Sequence, residues 1–221
     1  MGVYSYYILL TCTDSNIKEE IMFKTNKSYE VSNKFKGGYI KFIRNLIILF
    51  MLANTNMYSA NFEKAIDFTF AVEGSVPNYA YGISTGTLKT YNKKYKKNYK
   101  MNKLTRKQAS NIAEKLLWNV YDINEVDNDI VGIAIFDFIF NSNPANASKI
   151  IERTINQLSD TNVKVNGSLS SKDIAMINTL DPEKFVKALC DNRLGYMKSL
   201  KAWKKYGKGW SKRVNSIKSL V

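Results

Sequence analysis

Ile130-Val-Gly-Ile-Ala-Ile-Phe-Asp-Phe-Ile-Phe140 is apolar all round except at Asp137. A helix with no polar face belongs in the middle of a core. Asp129 stands in front of it as the expected N-cap. The fold is therefore built outward from a buried central helix carrying one carboxylate.

Segments on either side read as helices that cover this centre. Phe62, Ala65, Ile66, Phe68, Phe70 and Val72 predict a helix from Asn61 to Val72, with Asn61 as N-cap and Gly74 as the stop. Thr105-Arg-Lys-Gln108 is a capping-box pattern opening a helix to about Tyr121, with Ile112, Leu116, Leu117 and Val120 on one face. Further helices are expected at 145–158, at 171–180 and from Pro182 to about Lys201, the last with Asp181 and Pro182 at N-cap and N1. A final basic helix is expected to start at Lys208-Gly-Trp-Ser-Lys-Arg213. Between Ser75 and Thr87 the chain is rich in Gly, Ser, Pro, Asn and Tyr, which predicts turns or a short hairpin. No internal repeat or long linker is visible, so the expected architecture is mainly α, with a hairpin region after Glu73.

Composition narrows the chemistry. The 221 residues are 45% hydrophobic and 24% charged, as in an ordinary globular protein. Lys and Arg outnumber Asp and Glu by 33 to 19, a net charge of +14, so the surface field attracts polyanions: nucleic acid, anionic membranes or bacterial wall polymers. The absence of histidine removes the usual general base and the partner in Ser-His or Cys-His nucleophile pairs. Only Cys12 and Cys190 are present, which argues against a disulfide framework and a cysteine-ligated zinc site. Hydrolytic chemistry must then rest on carboxylates, Lys, Tyr or Ser, with no metal or cofactor implied.

Lys41 and Arg44 precede the apolar run Leu46–Ala53, followed by a polar stretch and Met57-Tyr-Ser-Ala60. That basic, apolar, small-residue order is the pattern of a secretory signal, with cleavage after Ala60; a short buried helix is the alternative. The expected organisation is a leader over 1–60, its signal-like segment at about 41–60, a catalytic part over 61–140 and a helical part over 141–221 packed in the same unit. The forty residues ahead of the signal are unusual, and synthesis beginning nearer Lys41 would explain them.

Most carboxylates after Asn61 sit where capping or solvation accounts for them. Two do not. Glu73 ends an apolar helix and faces an aromatic loop, so partial desolvation should raise its pKa, as protonation of a glycosidic leaving oxygen requires; a plain surface Glu is the alternative. Asp137 lies where an unpaired carboxylate would be costly. The reading preferred there is a structural Asp satisfied by backbone donors or a Tyr, with Asn141 one turn on sharing its face. The stretch 89–103 carries seven lysines with Tyr91, Tyr95 and Tyr99 four apart. It reads as a solvated helix face whose rings cover the core, in preference to an aromatic lip for sugar.

Phe62-Glu-Lys-Ala-Ile-Asp-Phe68, Val72-Glu-Gly74, Tyr81-Gly-Ile83, Phe136-Asp137 with Asn141-Ser142, Asp191-Asn-Arg193 and Lys208-Gly-Trp210 with Arg213 stand in one order along 61–217. That order resembles glycoside hydrolase family 108, N-acetylmuramidases of the phage endolysin and secretion-activator type with an adjoining peptidoglycan-binding segment. The resemblance implies a lysozyme-like fold, Glu73 as the catalytic acid of the family's Glu-Gly motif, and Tyr81, Gly82 and Ile83 as the cleft wall beside it. The family's Glu-Gly-Gly-Tyr and its Asp-, Pro- and Gly-rich loop are here shortened to Glu73-Gly-Ser-Val-Pro-Asn78 running into Tyr79. No Asp stands where a second carboxylate would come; Asn78 or Ser84 is left to position a water.

The expectation is an exported, monomeric muramidase acting on peptidoglycan in the periplasm or cell wall, touching the membrane only in transit, with no nucleic-acid partner. Tyr79, Tyr81, Gly82, Ser84 and Asn78 hold sugar or water, in phage-type lysis or wall remodelling. A non-catalytic wall-binding protein of the same fold and a basic nucleic-acid-binding protein are the rival readings. Expression in a bacterium should yield a secreted species beginning near Asn61, read by mass spectrometry of the N-terminus; a full-length cytoplasmic product contradicts the signal reading.

Overall fold

The central helix is α4, Asp129–Asn141, in a computed structural model that describes residues 59–71 and 79–221. The side chains from Val131 to Ile139 are all buried, Asp137 among them. Around α4 the chain lays α1 (Phe62–Ala71), a two-stranded ribbon of β1 (Tyr79–Ala80) and β2 (Ile83–Ser84), α2 (Thr85–Tyr95) and α3 (Arg106–Ala113). After α4 come α5 (Pro144–Leu158), α6 (Ser171–Ile177), α7 (Pro182–Ser199) and α8 (Trp203–Lys218). Eight α-helices and one antiparallel ribbon are thus the architecture of the described residues, mainly α as expected. Residues 1–58, with the expected leader and most of the signal-like segment, lie outside the described residues, as do Glu73 and Asn78. No helix among the described residues is long and apolar enough to cross a membrane.

Local chemistry explains most boundaries. Asn61 Oδ1 accepts the Lys64 amide, and Thr105 with Gln108 closes the expected capping box. Asp181 caps α7 ahead of Pro182. At α4 the assignment shifts by one residue: Asn128, not Asp129, is the N-cap, its Oδ1 taking the amides of Ile130 and Val131. Asp129 at N1 instead accepts the Asn61 amide and pairs with Lys64, tying the start of α1 to the start of α4. The Lys64 bond, more than the Asn61 bond, lowers its pKa against the opposing effect of burial.

Three expectations change. The helix opened by Thr105 passes into a π turn over Glu114–Trp118 and ends there, short of Tyr121. The final helix begins at Trp203, five residues ahead of Lys208, because Gly207 and Gly209 lie within it and do not break it. The lysine-rich 89–103 is not one helix: α2 ends at Tyr95, with Lys96 in the left-handed conformation. Asn92 then folds the chain back by bonding both the amide and the carbonyl of Tyr99. Tyr91 is buried, stacked on Tyr99 at 6.0 Å and bonded to Asn111 at 2.7 Å, so these rings cover the core.

Two close approaches fix the packing of α4 and α5. A Cβ at Gly132 would come within 2.4 Å of the Ala60 side chain, so glycine there seats the buried Ala60, whose amide bonds Val126 O. A chain starting at Asn61 would leave that contact unfilled. On α5, buried Glu152 accepts the amides of Gly167 (3.0 and 3.1 Å) and Ser168 (3.1 Å), fastening the segment that leads to α6. Gly167 sits at φ 82, where a Cβ would meet Ala145 O at 2.8 Å. Cys190 is buried on α7, and burial pushes its thiol up to about 11.

Removing the Glu152 carboxylate strands the Gly167 amide, while the Ser168 amide keeps Asn166 Oδ1 at 2.7 Å. Glu152→Ala should destabilise the fold by roughly 3 kcal/mol, measured by urea titration. An unchanged midpoint would mean that water replaces the carboxylate.

Candidate active site

The buried end of the site is Asp137. Its carboxylate receives Arg193 Nη1 at 2.8 Å and Arg213 Nη2 and Nε at 2.6 and 3.0 Å, with Thr69 Oγ1 at 3.4 Å. Asn141 donates to its backbone carbonyl at 2.9 Å, so the shared face is real. The partners differ from those expected: two guanidiniums satisfy the carboxylate, not backbone donors or a Tyr. A lone anion in a dry core needs cations, and neutral donors would not offset its desolvation. Burial alone would push the Asp137 carboxyl up, but the adjoining Arg193 and Arg213 charges win and hold it below the ordinary carboxylate value.

Arg193 is itself buried, and its Nε and Nη2 have no hydrogen-bond partner among the described residues. Its guanidinium lies 4.8 Å from the Phe138 ring centre, so a π face takes part of the charge that hydrogen bonds do not. Arg213 reaches further, its Nη2 meeting Thr69 O at 3.4 Å. That carbonyl belongs to the last turn of α1, where helix carbonyls lack intrahelical donors and a cation is favoured. Sequence reading missed this pairing because its members stand 56 and 76 residues from Asp137. The available signal was the cost of burying Asp137, which obliges a cation to come from elsewhere.

The open end of the site is the ribbon. Tyr79 pairs with Ser84 and Ala80 with Ile83, leaving Tyr81 and Gly82 as a two-residue turn at φ 54 and φ 73. Both values suit the tight hairpin turn, and Gly82 adopts its value without strain. Tyr81 is held at a less usual conformation by its ring, 5.7 Å from Phe70. Phe70 in turn packs on Phe140 at 6.2 Å and lies under the Arg106 guanidinium at 5.3 Å. Tyr81 thus stands exposed beside the last turn of α1 and the end of α4. Ser84 is the N-cap of α2: its hydroxyl accepts the Thr87 amide at 3.1 Å and bonds the Thr87 hydroxyl at 2.8 Å. Ala71 and Tyr79 therefore bracket the stretch that contains Glu73 and Asn78. Among the described residues, no group of carboxylates or cysteines is arranged to hold a metal ion.

The family model described as Glycosyl hydrolase 108 matches residues 73–142, beginning at Glu73 and ending one residue past α4. The solved structure of Brucella abortus SagA is similar at 26% identity and a TM-score of 0.60, covering 72% of this chain and 92% of that chain. No curated protein matches. Helical architecture and family match together define a glycoside hydrolase of lysozyme-like fold. More particularly, residues 73–142 are similar to glycosyl hydrolase 108, the family that the sequence resembles.

Asp137→Asn would leave two cations facing a neutral amide in the core. It should cost about 3–5 kcal/mol, read by thermal or denaturant unfolding. Because the folded-state pKa is lowered, the carboxylate's contribution is present above the ordinary value near 4 and is lost as pH falls through the folded value. The native protein should therefore lose stability in acid where Asp137→Asn does not show this component.

Proposed function

We propose that this chain cleaves peptidoglycan between N-acetylmuramic acid and N-acetylglucosamine, with Glu73 as the general acid that protonates the leaving oxygen. The observation that carries the reading is the family match beginning at Glu73, on a stretch bracketed by Ala71 of α1 and Tyr79 of the ribbon. Tyr81 and Gly82 form the wall of the cleft, and Tyr79 holds sugar or water with them. Ser84 supports that wall by capping α2, and Asn78 holds sugar or the attacking water. The surplus of positive charge suits an anionic wall polymer. Residues 141–221 contribute to wall binding while sharing the core of the catalytic part. Export as a monomer, for phage-type lysis or wall remodelling, completes the reading; the signal-like order at 41–60 supports it.

The shortened loop after Glu73, with no Asp in it, favours a second reading: a protein that binds the wall without cutting it. One variant decides between them. Glu73→Gln keeps the shape and loses the acidic proton, so lysis of purified peptidoglycan, followed by turbidity, should fall by about a hundredfold to ten-thousandfold with unchanged melting temperature. Native-rate lysis by the variant would remove Glu73 from the mechanism. A native chain that binds sacculi without clearing them would establish the binder.

A further inference from the structure

Helix α8 carries an aromatic stripe at the edge of the core: Trp203 and Trp210 pack against the core with one side, and Tyr206 stands outside it. Trp203, Tyr206 and Trp210 stand at spacings of three, four and seven, which places them on one stripe of the helix. Their rings touch in sequence: Trp203 to Trp210 at 6.2 Å and Tyr206 to Trp210 at 5.9 Å. Tyr206 is 48% exposed, and both tryptophans keep part of their surface in solvent. The cluster is held firmly. A Cβ at Gly207 would meet Trp203 ring carbons at 2.7 Å, so the indole lies directly on the helix backbone at that glycine. Gly209 has open space around it, leaving the approach beside Trp210 unobstructed.

Cations surround the rings. Lys201, Lys204, Lys205, Lys208 and Lys212 are all exposed, and the Lys205 ammonium lies 5.0 Å from the Tyr206 ring centre. A half-exposed Tyr206 beside two partly exposed tryptophans, set among lysines with no acidic residue on the same helix, marks a binding surface. The stripe also continues inward: seven residues after Tyr206 comes Arg213, which bonds Thr69 O at the end of α1. The aromatic ladder therefore runs along α8 toward the helix end that precedes Glu73.

We infer that Trp203, Tyr206 and Trp210 form a stacking subsite for the sugar rings of an anionic glycan strand, with the flanking lysines meeting its carboxylates. The inference rests on reading this chain as a wall-cleaving enzyme and extends its cleft along α8. Ring faces pair with the apolar faces of pyranose rings, while the lysines supply charge complementarity. Continuity with Arg213 and α1 favours the enzyme's own polymer over an unrelated polyanion.

The test is co-sedimentation of the full chain with purified peptidoglycan sacculi, using Glu73→Gln protein so that turnover does not remove the ligand. Tyr206→Ala in that background should bind roughly tenfold more weakly at unchanged melting temperature, and Tyr206→Phe should restore binding. Lys208→Glu with Lys212→Glu should flatten the salt dependence of what binding remains. Equal binding by Tyr206→Ala overturns the inference. So does a native chain whose Tyr206-dependent affinity is for duplex DNA or for phosphatidylglycerol vesicles instead of sacculi. Should Glu73→Gln prove fully lytic, the catalytic assignment fails, yet the comparison between Tyr206 variants, made in the cold on the same sacculi, still decides the subsite.

Discussion

One buried carboxylate organises this molecule. Asp137 sits at 0% exposure in the most apolar helix, and satisfying it requires Arg193 from α7 and Arg213 from α8, with Thr69 of α1 at its edge. An ion this deep is weak evidence for net stability, since apolar residues of equal volume often serve as well. Its effect lies in geometry. Three helices far apart in sequence must each bring a polar side chain to one point, and a small sliding of any of them strands a charge in the core. The network therefore specifies a single arrangement of α1, α7 and α8 around α4.

That arrangement positions the last turn of α1 from behind. Arg213 meets both Asp137 and the Thr69 carbonyl, so the C-terminal turn of α1 is fastened to the centre of the domain. From the other side, Phe70 is packed between Tyr81 of the hairpin and Phe140 of α4. A general acid works only where geometry is held to fractions of an ångström, and the segments around such a group must be rigid even if the group itself moves. Here the helix that leads to Glu73 is held by a polar anchor on one residue and an aromatic one on the next.

The sequence carried more of the fold than of the site, and the reason is range. Caps are decided by atoms three residues apart, so Thr105 with Gln108, Asn61, and Asp181 with Pro182 were all legible. The same locality misled at Asp129: Asp and Asn cap equally well, and only the structure shows that Asn128 holds the amides while Asp129 turns to Lys64. Gly207 and Gly209 read as a late helix start, yet one of them is there to admit the Trp203 ring, a contact no local pattern encodes. The turn at Tyr81 and Gly82 was visible as a hairpin-prone stretch. That Tyr81 would be pinned by Phe70 was not.

The same contrast bears on how charge is used. Positive charge dominates this chain, but its two kinds of cation do different work. Arg193 and Arg213 are delocalised, planar and tolerant of burial, and they are spent on Asp137 and on the Phe138 face in the interior. Lys204, Lys205, Lys208 and Lys212 of α8 are strongly hydrated point charges and stay in solvent, where they can attract a polymer without the cost of desolvation. A single helix thus presents an arginine inward to hold the fold and lysines with aromatic rings outward to meet a ligand.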